Sequence, residues 1–421
     1  MPHDHGLRLD QTVPLFREGY GWLPNRRRRS ADGVVECRLM GMRATGLCGP
    51  DAARFFYDEE HIRRHGALPP PVLSTLFGHG AVHTLDGAAH RARKAMILAL
   101  TTGHGVQALA ERADRDWGIA ASSWHGSDGV VLFRAASRVL TRSVCTWTGI
   151  PVADTEVPAL ADDLLAMVDG FATAGPRHWK ARQARRRREN WLAGLVEEVR
   201  AGAASAPAGS AVAAVATHRD VDRELLDPCV AAVELINIIR PTVAVSWFLA
   251  FAGHALHRWP AVAERLRTGD PAYAAAFAHE LRRFYPFAPF VGGRAVHDLS
   301  YRGHDIPAGS MVLLDLYGQN HDPQLWTDPY RFNPDRFIGR PVGAFDLIPQ
   351  GGGDPRTGHR CPGEQITVAL LETLPVRLAR LDYEVPAQDL TIPLHRIPTR
   401  PASGVVITNV RTSDRADERT G

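Results

Sequence analysis

Residues 227–258 constrain this chain more than any other stretch. Apolar residues recur there with helical spacing. Asp227 suits the N-cap, Pro228 the first helical position, and Pro260 stops the pattern. At 1.5 Å per residue such a helix is roughly 45 Å long, enough to cross a whole domain. Within it lies Asn237-Ile238-Ile239-Arg240-Pro241-Thr242-Val243-Ala244. A charge among those neighbours costs several kcal/mol unless an anion meets it. Pro241 removes a helix hydrogen bond and predicts a kink or widening that lets the guanidinium lean into an internal pocket. Two anions fit: an internal carboxylate in a structural ion pair, or a ligand carboxylate gripped by both arms of Arg240.

A second feature lies near the C-terminus. The glycine-rich approach Pro349-Gln350-Gly351-Gly352-Gly353 leads to Gly358-His359-Arg360-Cys361-Pro362-Gly363-Glu364. Pro362 suits a first helical turn, and residues 366–374 continue with helical spacing. A sulfur at a helix N-terminus has its thiolate form stabilised, as an axial ligand of haem iron requires. The alternative is a buried, inert thiol. Two companions weigh against it. Glu280-Leu281-Arg282-Arg283 lies about 80 residues upstream. Glu280 and Arg283 share a helix face there and can pair with a distant arginine such as Arg336, within Phe332-Asn333-Pro334-Asp335-Arg336-Phe337.

This order, Glu-x-x-Arg, then Phe-x-x-x-Arg-Phe, then the cysteine loop, resembles the cytochrome P-450 superfamily. The resemblance implies a mainly α fold with small β-sheets, a single haem-thiolate catalytic domain over residues 1–410, and haem b ligated by Cys361. The acid–alcohol pair that an oxygen-using member carries in its long helix is replaced by Arg240 and Pro241. With Arg38-Leu39-Met40-Gly41 and the enlarged cysteine loop, this narrows the resemblance to the bacterial fatty-acid peroxygenase branch, from about residue 14 to 410. That branch implies hydrogen peroxide as oxidant, a fatty acid as substrate and no obligate redox partner. Arg240 would hold the carboxylate, which replaces the missing general acid–base and tethers Cα and Cβ at the reactive centre. Hydroxy acids or terminal alkenes are the expected products. A reductase-fed monooxygenase and a non-catalytic haem or carboxylate sensor remain open as alternatives.

The same resemblance implies roles for further residues. Phe77 and His83 match positions over the haem: Phe77 steers the alkyl chain or simply packs, and the His83 imidazole favours alkene formation or is an ordinary pocket histidine. His90 and Lys94, at i and i+4 on one helix, suit a haem propionate. Arg294 and His359 match other propionate-binding positions. Pro286, Phe287, Phe290 and Val291 are expected along the apolar channel. Asp354 stands where the superfamily has a phenylalanine, so the loop is longer or reshaped and a docking surface for an electron donor need not persist.

Composition agrees. With 45% apolar residues, 421 residues can bury a large core. A net charge of +3 implies no polyanion partner. Lys94 and Lys180 are the only lysines, so the arginine runs at 26–29 and 185–188 reflect a global bias. They predict solvated or substrate-access faces, with no nucleic acid bound. Cys37, Cys48, Cys145, Cys229 and Cys361 are scattered without Cys-x-x-Cys spacing, which predicts a reducing, cytoplasmic setting with no disulfides or zinc site. The N-terminus lacks signal-peptide character, and no uninterrupted apolar run approaches the length of a membrane span. Residues 34–48 predict two strands joined at Gly41, residues 52–57 a short helix, and another helix follows Asp86. A loop is expected at 201–213, and the tail after Thr408 is expected to fray, with 411–421 disordered.

Overall fold

The computed structural model describes residues 9–411, and its long helix runs where the spacing predicts, Pro228–Arg258. Asp227 caps it, with Oδ1 accepting from Cys229 N at 2.8 Å and Val230 N at 3.4 Å. The helical pattern continues through Pro241 without interruption. Apolar on every side, the helix is buried among the helices Leu132–Thr148, Val157–Asp169, Pro176–Arg200 and Glu364–Arg380. Trp247 meets Phe133 edge-on at 4.7 Å, and both are buried. The expectation that no segment is long enough to span a membrane needs correcting. This helix passes by length and composition, and 94% of its most apolar window lies inside the protein. Burial, not shortness, accounts for its composition.

The helices pack against a small mixed sheet. Its strands run in the order Val35–Leu39, Met42–Leu47, Met311–Asp315, Phe290–Ala295 and Ile62–Arg63. The first two form the expected hairpin, Leu39 opposite Met42, with Met40 and Gly41 both at positive φ in the tight turn. The second and third strands pair in parallel and the rest antiparallel.

The polar lock forms as the Glu-x-x-Arg spacing predicts. On helix Pro271–Phe284, Glu280 takes Arg283 at 2.6 and 2.8 Å and lies 3.0 Å from Arg336 Nε. It also accepts from Asn333 N at 2.8 Å. Arg283 passes the network on to the carbonyls of Asn320 and Pro329, each at 2.8 Å.

Several expectations at element ends fail. The helix after the cysteine begins at Glu364, because Pro362 and Gly363 form a turn before it. A further helix, Ala211–Thr217, starts inside the expected 201–213 loop, capped by Ser210. The chain does not fray after Thr408: strand Val406–Arg411 pairs with Asp382–Glu384 and with Val130–Val131. Most of the tail and the first residues lie outside the described residues. The 185–188 run is not uniformly solvated, because Arg185 is 2% exposed.

Candidate active site: a cysteine loop facing a buried arginine

Two neighbours hold the cysteine loop in place. Cys361 N donates to Gln350 O at 3.1 Å, and Gln350 Nε2 lies 3.8 Å from Sγ. Arg282 holds the same glutamine through Oε1 at 3.0 Å, which links the loop to the Glu280 helix. Lys94 donates to the carbonyls of Gly358 and Arg360. The expected thiolate bias is not there. Burial pushes the Cys361 thiol up and the Glu364 carboxylate pushes the same way, against the Gly363 N–H, Lys94 and Arg282. The helix starts two residues later than expected, with the acid Glu364 at its first position. Deprotonation at this sulfur therefore calls for a bound cation.

Beside the loop is a crowded group of donors. The His90 and His359 rings stack at 3.9 Å. Arg64 is half-buried, donates to Gly292 O at 2.6 Å and lies over the Phe56 ring at 4.3 Å. Asp86 accepts from Arg64 N and His65 N, and His359 Nε2 lies 3.3 Å from it. Burial, with help from neighbouring cations, pushes His90 down to about 3 and His359 to about 4. Burial likewise pushes Lys94 down to about 8. His90 Nδ1 and Glu59 Oε1 are buried without hydrogen-bond partners. An excess of donors, stranded polar atoms and a lone thiol in a glycine-rich loop fit an iron porphyrin. The thiol suits the iron and the donors suit two propionates.

Arg240 stands on the central helix, 6% exposed. Its Nη2 donates to Asn237 Oδ1 at 3.2 Å, and its Nε is buried without a partner. Among the described residues no carboxylate pairs with it, which disfavours the internal ion pair. Burial, then the nearby Arg185, pushes its pKa down to about 9. Across from it, Phe77 O accepts from Arg185 Nη2 and Asn237 Nδ2, each at 2.9 Å. Gly78 follows with φ +83, and a Cβ there would lie 2.2 Å from Arg185 Nη2, so only glycine allows that approach. The Phe77 ring meets His83 at 4.8 Å and Phe171 at 5.7 Å. Burial, then Arg240, pushes His83 down to about 3, so its imidazole is neutral.

The family sequence profile "Cytochrome P-450" matches residues 271–387, which hold both the Glu280 lock and the cysteine loop. A solved structure of cytochrome P-450SP alpha (CYP152B1), in a substituted form, is 41% identical. The match covers 96% of this chain and 99% of that one, with a TM-score of 0.93. This chain belongs to the cytochrome P-450 family, in its fatty-acid peroxygenase branch.

Two further structures of this P-450 branch carry fatty acids. Cytochrome P-450EX alpha (CYP152N1), solved with myristic acid, is 38% identical over 98% of this chain and 99% of that one, with a TM-score of 0.92. A substituted cytochrome P-450 OleT, in complex with arachidonic acid, is 36% identical over the same shares, with a TM-score of 0.94. Cytochrome P-450 71A8 of Mentha piperita is 36% identical over 120 residues, 27% of this chain and 23% of that protein. This chain therefore aligns with about a quarter of that curated relative.

As a P-450 the protein takes a haem iron, and its fold gathers most of the expected site residues. Lys94 bonds the Cys361 loop and His90 stacks on His359, while Phe77 meets His83, which feels the charge of Arg240. Arg294 falls apart from both groups. Strand alternation sends Phe290 and Arg294 to the face bearing Met42 and Met311, where Arg294 donates to Gly66 O and Gly309 O. The opposite face holds Val291 and Ala295 with Phe56 and Tyr57, and Arg64 lies there. The expected channel is divided: Phe290 packs on Trp22, whereas Phe287, in the bend before the strand, packs on Phe248 of the central helix. The sequence reading missed Arg64, Gln350, Arg185, Phe171 and Asn237. Only Asn237 left a readable signal, as a polar residue three positions before Arg240 in an apolar helix.

Proposed function

We propose that this protein uses hydrogen peroxide to oxidise fatty acids at Cα and Cβ, giving hydroxy acids, terminal alkenes or both, with haem b as cofactor and no obligate redox partner. The observation that carries this reading is Arg240, a buried guanidinium that no carboxylate among the described residues pairs with, on a long helix without an acid–alcohol pair beside it. When bound and ligated by Cys361, haem b supplies the centre at which the O–O bond is cleaved and oxygen passes to carbon. Arg64, His90, Lys94 and His359 offer the donors for its propionates.

Arg240 presents parallel N–H groups to the two carboxylate oxygens of the substrate. Asn237 steadies one arm of that fork. The bound carboxylate then does the work of the absent acid: one oxygen takes a proton from hydrogen peroxide and returns it to the departing oxygen. Tethering by the head group leaves Cα and Cβ as the reachable carbons, while Phe77, Phe171 and Phe287 offer an apolar path for the chain. The neutral His83 imidazole carries one N–H to donate and one bare nitrogen to accept, and its Nδ1 is buried without a partner beside Phe77.

The test is gas chromatography of products from purified protein, saturated fatty acids and hydrogen peroxide, with no reductase. Hydroxy acids or alkenes support the reading. No product, from protein whose reduced carbonyl complex shows thiolate ligation, overturns it in favour of a reductase-fed monooxygenase or a sensor.

Two predictions follow from the same geometry. His83→Gln lowers the ratio of alkene to hydroxy acid several-fold while the Soret shift on fatty-acid binding persists; an unchanged ratio would reduce His83 to a packing residue. Arg64→Met speeds haem loss to apomyoglobin by roughly tenfold or more, the worth of one hydrogen bond to a charged group. Arg294→Met leaves that rate near wild type, and equal effects would return Arg294 to the haem site.

A further inference from the structure

Three polar side chains interrupt one face of the central helix at intervals of three residues: Glu234, Asn237 and Arg240. Asn237 and Arg240 serve the clamp. Glu234 is fully buried one turn before Asn237, whose side chain also favours its carboxylate. Its Oε1 accepts from Val82 N at 2.7 Å and from Arg93 Nη1 at 2.9 Å, and its Oε2 is buried without a partner. Arg93, 4% exposed, also donates to Gly80 O at 3.2 Å and pairs with Asp220. Val82 opens the 3₁₀ turn Val82–Thr84, whose middle residue is His83. One carboxylate and one guanidinium therefore hold the two points, Val82 N and Gly80 O, that lead directly into His83.

A backbone N–H can be satisfied by any neutral acceptor. Burying a carboxylate for that purpose costs several kcal/mol before pairing, so this pair contributes little as a simple fastening. What it adds is fixed geometry. Gly80 sits so close to the helix that a Cβ would meet Val230 Cγ2 at 3.2 Å, which leaves the loop a single seat.

We propose that Glu234 is a positioning residue: through Val82 N–H and Arg93 it sets where the His83 imidazole stands relative to Arg240, and so how oxidation divides between hydroxy acid and alkene. This rests on the peroxygenase reading. Glu234 acts through the turn, and the loss of its effect without His83 separates that route from its contact with Asn237.

The test uses Glu234→Leu, Glu234→Gln, His83→Gln and the Glu234/His83 double variant, each with haem, hydrogen peroxide and myristic acid. Glu234→Leu is expected to change the alkene-to-hydroxy-acid ratio by at least about twofold, the low end of coupling between contacting groups. Glu234→Gln keeps an acceptor for Val82 N–H but loses the charge pair, and falls between. In the His83→Gln background the Glu234 effect disappears. An unchanged ratio in protein with intact thiolate ligation overturns the proposal, as does an effect that persists in full without His83. Should Glu234→Leu fail to fold, Glu234→Gln carries the same comparison. A crystal structure of Glu234→Gln gives a readout independent of turnover. Displacement of Val82–Thr84 from the central helix is expected, and an unmoved His83 overturns the proposal even if wild-type protein oxidises no fatty acid. That last result would count against the peroxygenase reading alone.

Discussion

Arg240→Ala is expected to abolish fatty-acid turnover and leave haem in place. The substitution removes a fork that would make two charge-assisted hydrogen bonds to the substrate carboxylate. At about 1.5–3 kcal/mol each, their loss lowers kcat/KM by about 10²–10⁴-fold. The effect on kcat should be as severe, because the same carboxylate must be held where it can relay the peroxide proton. Arg240→Lys should recover only a small part: an ammonium supplies charge but no planar fork. The cysteine loop is held by Lys94, Gln350 and Arg282, none of which bonds Arg240, so the carbonyl complex of the alanine variant should keep its thiolate signature. Gas chromatography and that spectrum decide the matter. Turnover retained in Arg240→Ala would sink the clamp.

The largest structural effect is expected at Glu280. Its two oxygens serve Arg283, Arg336 and Asn333 N, and the carboxylate is fully buried. Glu280→Ala leaves two guanidinium groups without their counter-ion, which costs about 3–5 kcal/mol. That is a large share of the ~5–15 kcal/mol that holds a native fold together. With the unfolding entropy of a chain this long, it lowers Tm by about 4–6 °C. The exposed pair Arg265–Asp335 supplies the comparison: Arg265→Ala should cost at most about 1 kcal/mol. Thermal unfolding followed by circular dichroism, on holoprotein of each variant, checks both. Equal melting temperatures for Glu280→Ala and wild type would show that Arg283 finds enough carbonyl partners without the acid.

Local spacing made much of the site legible. Asp227 and Pro228 mark the start of the central helix, Glu280 and Arg283 share a face three residues apart, and His90 and Lys94 lie one turn apart. A helix dictates neighbours at those intervals whatever it packs against. The arginine–proline pair in an apolar helix also identified Arg240, because a buried charge needs an explanation anywhere in a fold. The tripeptide-scale signals of the Cys361 loop sufficed to place the sulfur, though not to set its protonation.

Tertiary structure decided everything that depends on which surfaces meet. Arg294 and Arg64 are both arginines beside short strands, and only the pleat of Phe290–Ala295 shows that Arg64 faces the haem-side donors. Arg185 looks like one member of a solvated run, yet the packing of its helix on Phe77 buries it. Helix Glu364–Arg380 starts two residues past Pro362, and burial, then the Glu364 carboxylate, pushes the Cys361 thiol up where the sequence suggested the reverse. Glu234 reaches a loop about 150 residues away in sequence, and no periodicity encodes such a partner. Sequence alone determines contacts one helical turn apart, because backbone geometry imposes them. Contacts across the domain follow from packing, where desolvation and strand pleat choose among residues that look alike in the chain.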